Sequence, residues 1–177
     1  SRNVTLPPAG TEGILSVPEG AEGIVLFAHG SGSSRFSPRN TYVASALQRE
    51  GLATFLFDLL TEEEAADRAK VFDIPLLAER LLEATAETCE LAIGYFGAST
   101  GAGAALVAAA RARRPIAAVV SRGGRPDLAD AALAEVAAPT LLIVGGLDHQ
   151  VLQLNEAAFA ELTCEKVLQV VPGATHL

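Results

Sequence analysis

The sequence predicts an α/β fold built on a mostly parallel sheet covered by helices on both faces. Three observations carry the prediction. Short apolar segments alternate with longer segments of helical spacing, the pattern of a parallel sheet wrapped on two sides. Several of the apolar segments end in Ser, Asp or His, and ligands of such sheets sit beyond the carboxyl ends of the strands. One segment runs directly into Gly97-Ala98-Ser99-Thr100-Gly101, a G-x-S-x-G turn followed by an alanine-rich helix former.

Taken in order, residues 4–6 and 13–17 are short strands joined by a Pro/Gly turn, which makes that pair antiparallel. Gly23–Ala28 is an unbroken apolar run and reads as a buried strand. Residues 38–50 form a helix, with Ser37 or Asn40 at its cap and Gly51 closing it. Ala53–Phe57 is a strand. Residues 60–70 are acidic and polar and are expected to be a mobile connection. Residues 74–88 are helical, with Leu76, Leu77, Leu81 and Leu82 on one face. Residues 91–96 make the strand before the G-x-S-x-G turn and 100–113 the helix after it. Residues 116–121 form a strand, 127–136 a short helix, and 139–145 a central strand carrying Leu141-Leu142-Ile143-Val144. Residues 153–163 are helical, Lys166–Val171 is the last strand, and 172–177 close the chain as a loop.

With 177 residues, half of them hydrophobic, the chain is long enough for one domain, 1–177, with a real core. A net charge of −8 and a pI near 4.8 argue against nucleic acid or anionic lipid as a partner, because both need a basic patch. No apolar run approaches the roughly 20 residues of a membrane span, and no export signal is visible. Cys89 and Cys164 lie far apart, without metal-type spacing, and read as free thiols of a reducing compartment, the cytoplasm.

The polar residues at strand ends suggest the chemistry. A serine nucleophile needs a base to take its proton and an acid to orient that base. On this kind of sheet the chain order is Ser, acid, His, and Ser99, Asp148 and His176 follow it. Asp148 leaves its strand through Gly145-Gly146-Leu147, and His176 sits in Pro172-Gly173-Ala174-Thr175-His176, a loop suited to hanging an imidazole over Ser99. Taken singly, each has a plainer reading: Ser99 as a helix N-cap, Asp148 as a turn residue, His176 as a surface side chain. Asp58 and Asp127 are the alternative acids. An oxyanion would be held by the backbone amide of Thr100 and by one from His29-Gly30-Ser31-Gly32-Ser33-Ser34, with Ser31 the first choice and Gly32 the next. His29 reads as a residue that orders this loop. Arg35 and Arg122, with Arg39 and Arg125 nearby, could grip a substrate carboxylate or phosphate; the alternative is local pairing with the acidic 62–67 segment.

These residues resemble the α/β-hydrolase superfamily, in its dienelactone-hydrolase-like branch. The resemblance rests on Phe27 to Ser34, Gly94 to Gly101, Ser121-Arg122-Gly123-Gly124-Arg125-Pro126-Asp127, Leu141 to Asp148, and Pro172 to Leu177. It implies the α/β-hydrolase fold with about eight strands, a Ser-Asp-His triad and a further helix after the histidine, for which the residues up to Leu177 leave no space. It also implies members that stand alone or are joined to a phosphoribosyltransferase-like domain. Dienelactone enzymes proper usually carry Cys as nucleophile, so their lactone substrate does not transfer to Ser99. No long insertion separates residues 116–121 from 139–145, so no lid domain is expected and a small, open pocket suits a small ester, thioester or lactone. The function expected is a serine hydrolase working through an acyl-enzyme, with no cofactor and no metal. The alternatives are a non-catalytic module that binds a ligand or partner, and an acyltransferase.

Overall fold

A computed structural model of the chain describes residues 1–88 and 90–176. Among these, eight strands form one sheet: β1 (Arg2–Leu6), β2 (Thr11–Ser16), β3 (Gly23–Ala28), β4 (Ala53–Phe57), β5 (Ala92–Ala98), β6 (Ala118–Arg122), β7 (Thr140–Gly145) and β8 (Lys166–Val171). Their order across the sheet is β1-β2-β4-β3-β5-β6-β7-β8. β1 pairs antiparallel with β2, and β2 with β4; every later pairing is parallel. The chain therefore starts as an antiparallel pair and continues as parallel strands alternating with helices, with β3 and β5 at the centre of the sheet.

Six α-helices accompany the sheet among the described residues: α1 (Pro38–Arg49), α2 (Glu62–Ala65), α3 (Arg68–Val71), α4 (Ile74–Glu87), α5 (Thr100–Arg111) and α6 (His149–Glu161), with a 3₁₀ segment over Pro126–Glu135. The main core lies on one face, where Leu77 and Leu81 of α4, Ala104 to Ala108 of α5 and Ala158 of α6 meet Leu26, Ile93, Val119 and Leu142. On the opposite face α1 buries Ala44 against Phe27, Leu56 and Phe96. Ser37 caps α1 by accepting from the Asn40 amide. The helix ends in a Schellman arrangement: Gly51, at φ +86°, donates to Gln48 O, and Leu52 donates to Leu47 O at 3.0 Å.

The acidic stretch expected to be mobile is instead two capped helical turns. Thr61 and Glu64 form a reciprocal capping box, and Asp67 caps α3. Arg80 of α4 then grips the Glu64 carboxylate through two bonds of 2.8 Å. The expected helix at 127–136 is 3₁₀, broken at Asp130, whose φ is 47°. α6 starts at His149 rather than at 153, and β5 runs on to Ala98, because Gly97 and Ala98 continue the ladder with Ser121 and Arg122. Cys164 carries no disulfide; Cys89 lies outside the described residues. No helix among the described residues is long and apolar enough to cross a membrane.

Candidate active site

Ser99 stands between β5 and α5 with φ 53° and ψ −124°, a conformation that costs a non-glycine residue about 1–3 kcal/mol. Small neighbours make the turn feasible. A Cβ on Gly97 would come within 2.7 Å of Ala102 N, and one on Gly101 within 2.6 Å of His29 O. Ser99 occupies the N-cap position, yet its side chain makes no capping bond. Its carbonyl accepts from Ala102 N at 3.1 Å and from Arg125 N at 2.9 Å, which ties the turn to the loop after β6. The hydroxyl is thus left free at the start of a helix, where unpaired amides favour a developing anion.

The loop after β3 comes close to this hydroxyl. A side chain on Gly30 would have its Cβ 3.0 Å from Ser99 Cβ and 3.8 Å from Ser99 Oγ, a tight fit that a residue larger than glycine could keep only by shifting Ser99. Ser31 and Thr100 line one cavity of about 440 Å³, together with His29, Arg35 and Asp58. His29 orders the loop. Its Nε2 accepts from Leu59 N at 3.0 Å, so the proton is on Nδ1, which donates to Gly30 O at 2.8 Å. Burial, above all, holds its pKa below the ordinary value and keeps the ring neutral; the Gly30 bond and the Asp58 charge oppose this only partly. Asp58 is occupied by Arg35, accepting from the backbone amide at 2.8 Å and from the guanidinium. Arg35 also stacks on Phe36, 4.2 Å from the ring centre. Its partner is therefore Asp58 and not the 62–67 segment. Asp127 is likewise occupied, forked by Arg125 at 2.9 and 2.8 Å.

Asp148 and His176 meet beyond β7 and β8. His176 Nδ1 lies 2.8 Å from Asp148 Oδ2. Asp148 occupies the N-cap position of α6 but gives the helix no side-chain bond; its carboxylate is turned to the imidazole instead. The histidine loop is seated by its backbone. Gly146 N donates to Val171 O at 2.9 Å and Leu147 N to Ala174 O at 2.8 Å. A Cβ on Gly145 would come within 2.6 Å of Ala174 O and closer still to Thr175 O. The Asp148 side chain is 17% exposed and that of His176 51%. Among the described residues Ser99 and His176 make no direct hydrogen bond, a common looseness in sites without substrate.

Arg122 closes β6, in register with Ala98 and so one residue from the nucleophile position. It lies 5.6 Å from the centre of the Phe96 ring. With Arg39, Tyr42 and His176 it lines a second cavity, of about 630 Å³, between α1 and the 173–176 loop. Its Nε and Nη1 are buried without an acceptor among the described residues. Burial first, and the positive charge of Arg39 second, push its pKa below the usual arginine range. Two residues of this region went unmarked in the sequence. Tyr42 could have been noticed as an aromatic on the polar side of α1. Asn155 is buried in α6 and donates to Gly124 O at 3.1 Å and Val151 O at 2.8 Å, bracing the loop that holds the Ser99 carbonyl. A lone amide in an otherwise apolar helix face was its one signal.

No family model matches the chain. It is 60% identical, over 98% of its length, to proteins named "Putative phosphoribosyl transferase" in two strains of Mycobacterium tuberculosis, and it spans 41% of their length. Among solved structures it is 55% identical to a dienelactone hydrolase from Anabaena variabilis, with a TM-score of 0.92 over 99% of this chain and 86% of that one. Est1E from Butyrivibrio proteoclasticus (15% identity, TM-score 0.84, 99% and 90% covered) and an alpha-beta serine hydrolase homologue from Coxiella burnetii (20%, 0.81, 99% and 88%) share the fold.

Proposed function

We propose that this chain, which belongs to the dienelactone-hydrolase-like branch of the α/β-hydrolase superfamily, is a serine-dependent acyl hydrolase of small esters, thioesters or lactones. The observation that carries the reading is the 2.8 Å bond between His176 Nδ1 and Asp148 Oδ2. It fixes the tautomer that leaves Nε2 as a proton acceptor. Ser99 Oγ attacks the acyl carbonyl while His176 Nε2 takes its proton. The Thr100 and Ser31 amides receive the negative charge that grows on the carbonyl oxygen. The C–O or C–S bond then breaks, and His176 returns the proton to the leaving group. Water, deprotonated by the same imidazole, attacks the acyl-enzyme and frees the acid and Ser99. These steps are complete with the chain's own residues and a water molecule.

A fluorophosphonate probe tests the reading directly. The expected result is one adduct on Ser99 that disappears in Ser99→Ala, together with turnover on a panel of esters and thioesters of varied acyl length. A second reading, a ligand-binding module without catalysis, draws on the missing bond between Ser99 and His176. An intact fold that never labels would favour it. The name of the mycobacterial relatives, and the 41% of their length that this chain spans, support a phosphoribosyltransferase-like domain as the working neighbour of this one.

A further inference from the structure

The arginines of the fold are not equally satisfied. Arg35, Arg80 and Arg125 each bond a carboxylate, and Arg114 donates to the carbonyls of Thr88 and Leu91. Arg122 differs. Two of its guanidinium nitrogens are shielded from water and meet no acceptor among the described residues. The charge that acts on it is another cation, Arg39. Arg122 lines a cavity with Arg39, Tyr42 and His176, and the described residues lining that cavity include no Asp or Glu. A desolvated cation is costly unless paired, and here two positive side chains border one space whose lining, among the described residues, holds no carboxylate to balance them.

The missing partner is an anion, and the charge count says which kind. A carboxylate brings one negative charge. A phosphate monoester brings nearly two near neutral pH, with three acceptor oxygens that suit a forked guanidinium. Pro38, Tyr42 and Val43 add an apolar wall for the organic part. We propose that this cavity is a phosphate subsite and that the hydrolase acts on acyl substrates bearing a phosphomonoester. The proposal rests on the acyl-hydrolase reading for its second half; the subsite itself does not.

Calorimetric titration of Ser99→Ala protein with phenyl phosphate, benzoate and inorganic phosphate provides the test. Phenyl phosphate should bind about tenfold more tightly than either of the others. Arg122→Gln should lower that affinity about tenfold, and Arg39→Ala, an exposed position that spares the fold, about threefold. In the wild-type protein phenyl phosphate should inhibit 4-nitrophenyl acetate hydrolysis competitively. Equal binding of benzoate, equal binding of inorganic phosphate, or affinity indifferent to both arginine changes would overturn the subsite. If Arg122-dependent binding is found in a protein that hydrolyses no ester, the subsite stands and the acyl-hydrolase reading falls.

Discussion

On the β3/β4 side of Ser99, His29 bonds at both ring nitrogens and Asp58 is filled by the amide and guanidinium of Arg35. On the β6/β8 side, among the described residues, His176 makes one side-chain bond and is half exposed, and Arg122 has buried donors that meet no acceptor. The first flank is finished before a substrate arrives: its charges are cancelled and its loop is cross-tied, as suits amides that must be preorganised for an oxyanion. The second flank is positioned by backbone, through Gly145, Gly146 and the 172–175 turn, while its side chains keep valences open for a reactant. Damage to the first flank should therefore register in stability, and damage to the second in turnover.

The largest break is expected at the pivot itself. Ser99→Ala should lower ester turnover on the order of 10³-fold or more and erase probe labelling; residual labelling elsewhere in the chain would move the nucleophile. Next comes a paired comparison. Asp148→Asn should reduce kcat about 10³-fold at unchanged melting temperature, because the wrong imidazole tautomer is favoured. Asp58→Asn should cost about 1–2 kcal/mol of stability, read by denaturant melts, with kcat within tenfold. If the two profiles were exchanged, the assignment of acid and scaffold would be reversed.

Gly145→Ala sharpens the contrast from the backbone side. Its new Cβ collides with the carbonyls of Ala174 and Thr175 and must push the histidine loop outward. A displacement of this kind should lower kcat about 100-fold with little change in KM. An unchanged kcat would show that the loop tolerates movement without losing alignment.

The smallest effect belongs to His29. Its folded pKa is depressed below 6.5, so the unfolded chain binds the proton more readily. Stability should fall as pH drops from 6.5 towards that depressed value and be fully present above 6.5. His29→Gln should cost about 1–3 kcal/mol at neutral pH and remove most of the slope in that window. A slope that persists would assign it to other groups.

Much of the framework could be read directly from the chain. Gly23–Ala28, Ala53–Phe57 and Lys166–Val171 are bounded as the apolar runs suggest, since glycines or sharp polarity changes flank them. Asp148 and His176 could be paired from chain order and two glycine exits. Residues 60–70 resisted because their order comes from caps and from Arg80, on a helix further along the chain. The partner of Arg35 and the want of one at Arg122 resisted for the same reason. Which carboxylate a guanidinium meets is decided by strand order across the sheet, and local charge density pointed to the wrong segment.

The backbone at position 99 has a consequence for engineering. A φ of 53° with ψ of −124° suits glycine and penalises any residue with a Cβ. Two inert variants should therefore differ in heat resistance, Ser99→Gly outlasting Ser99→Ala by about 1 kcal/mol. The glycine form is the better vehicle for trapping intact reactants in a crystal, because it gives up the chemistry and relaxes the tension that chemistry demanded.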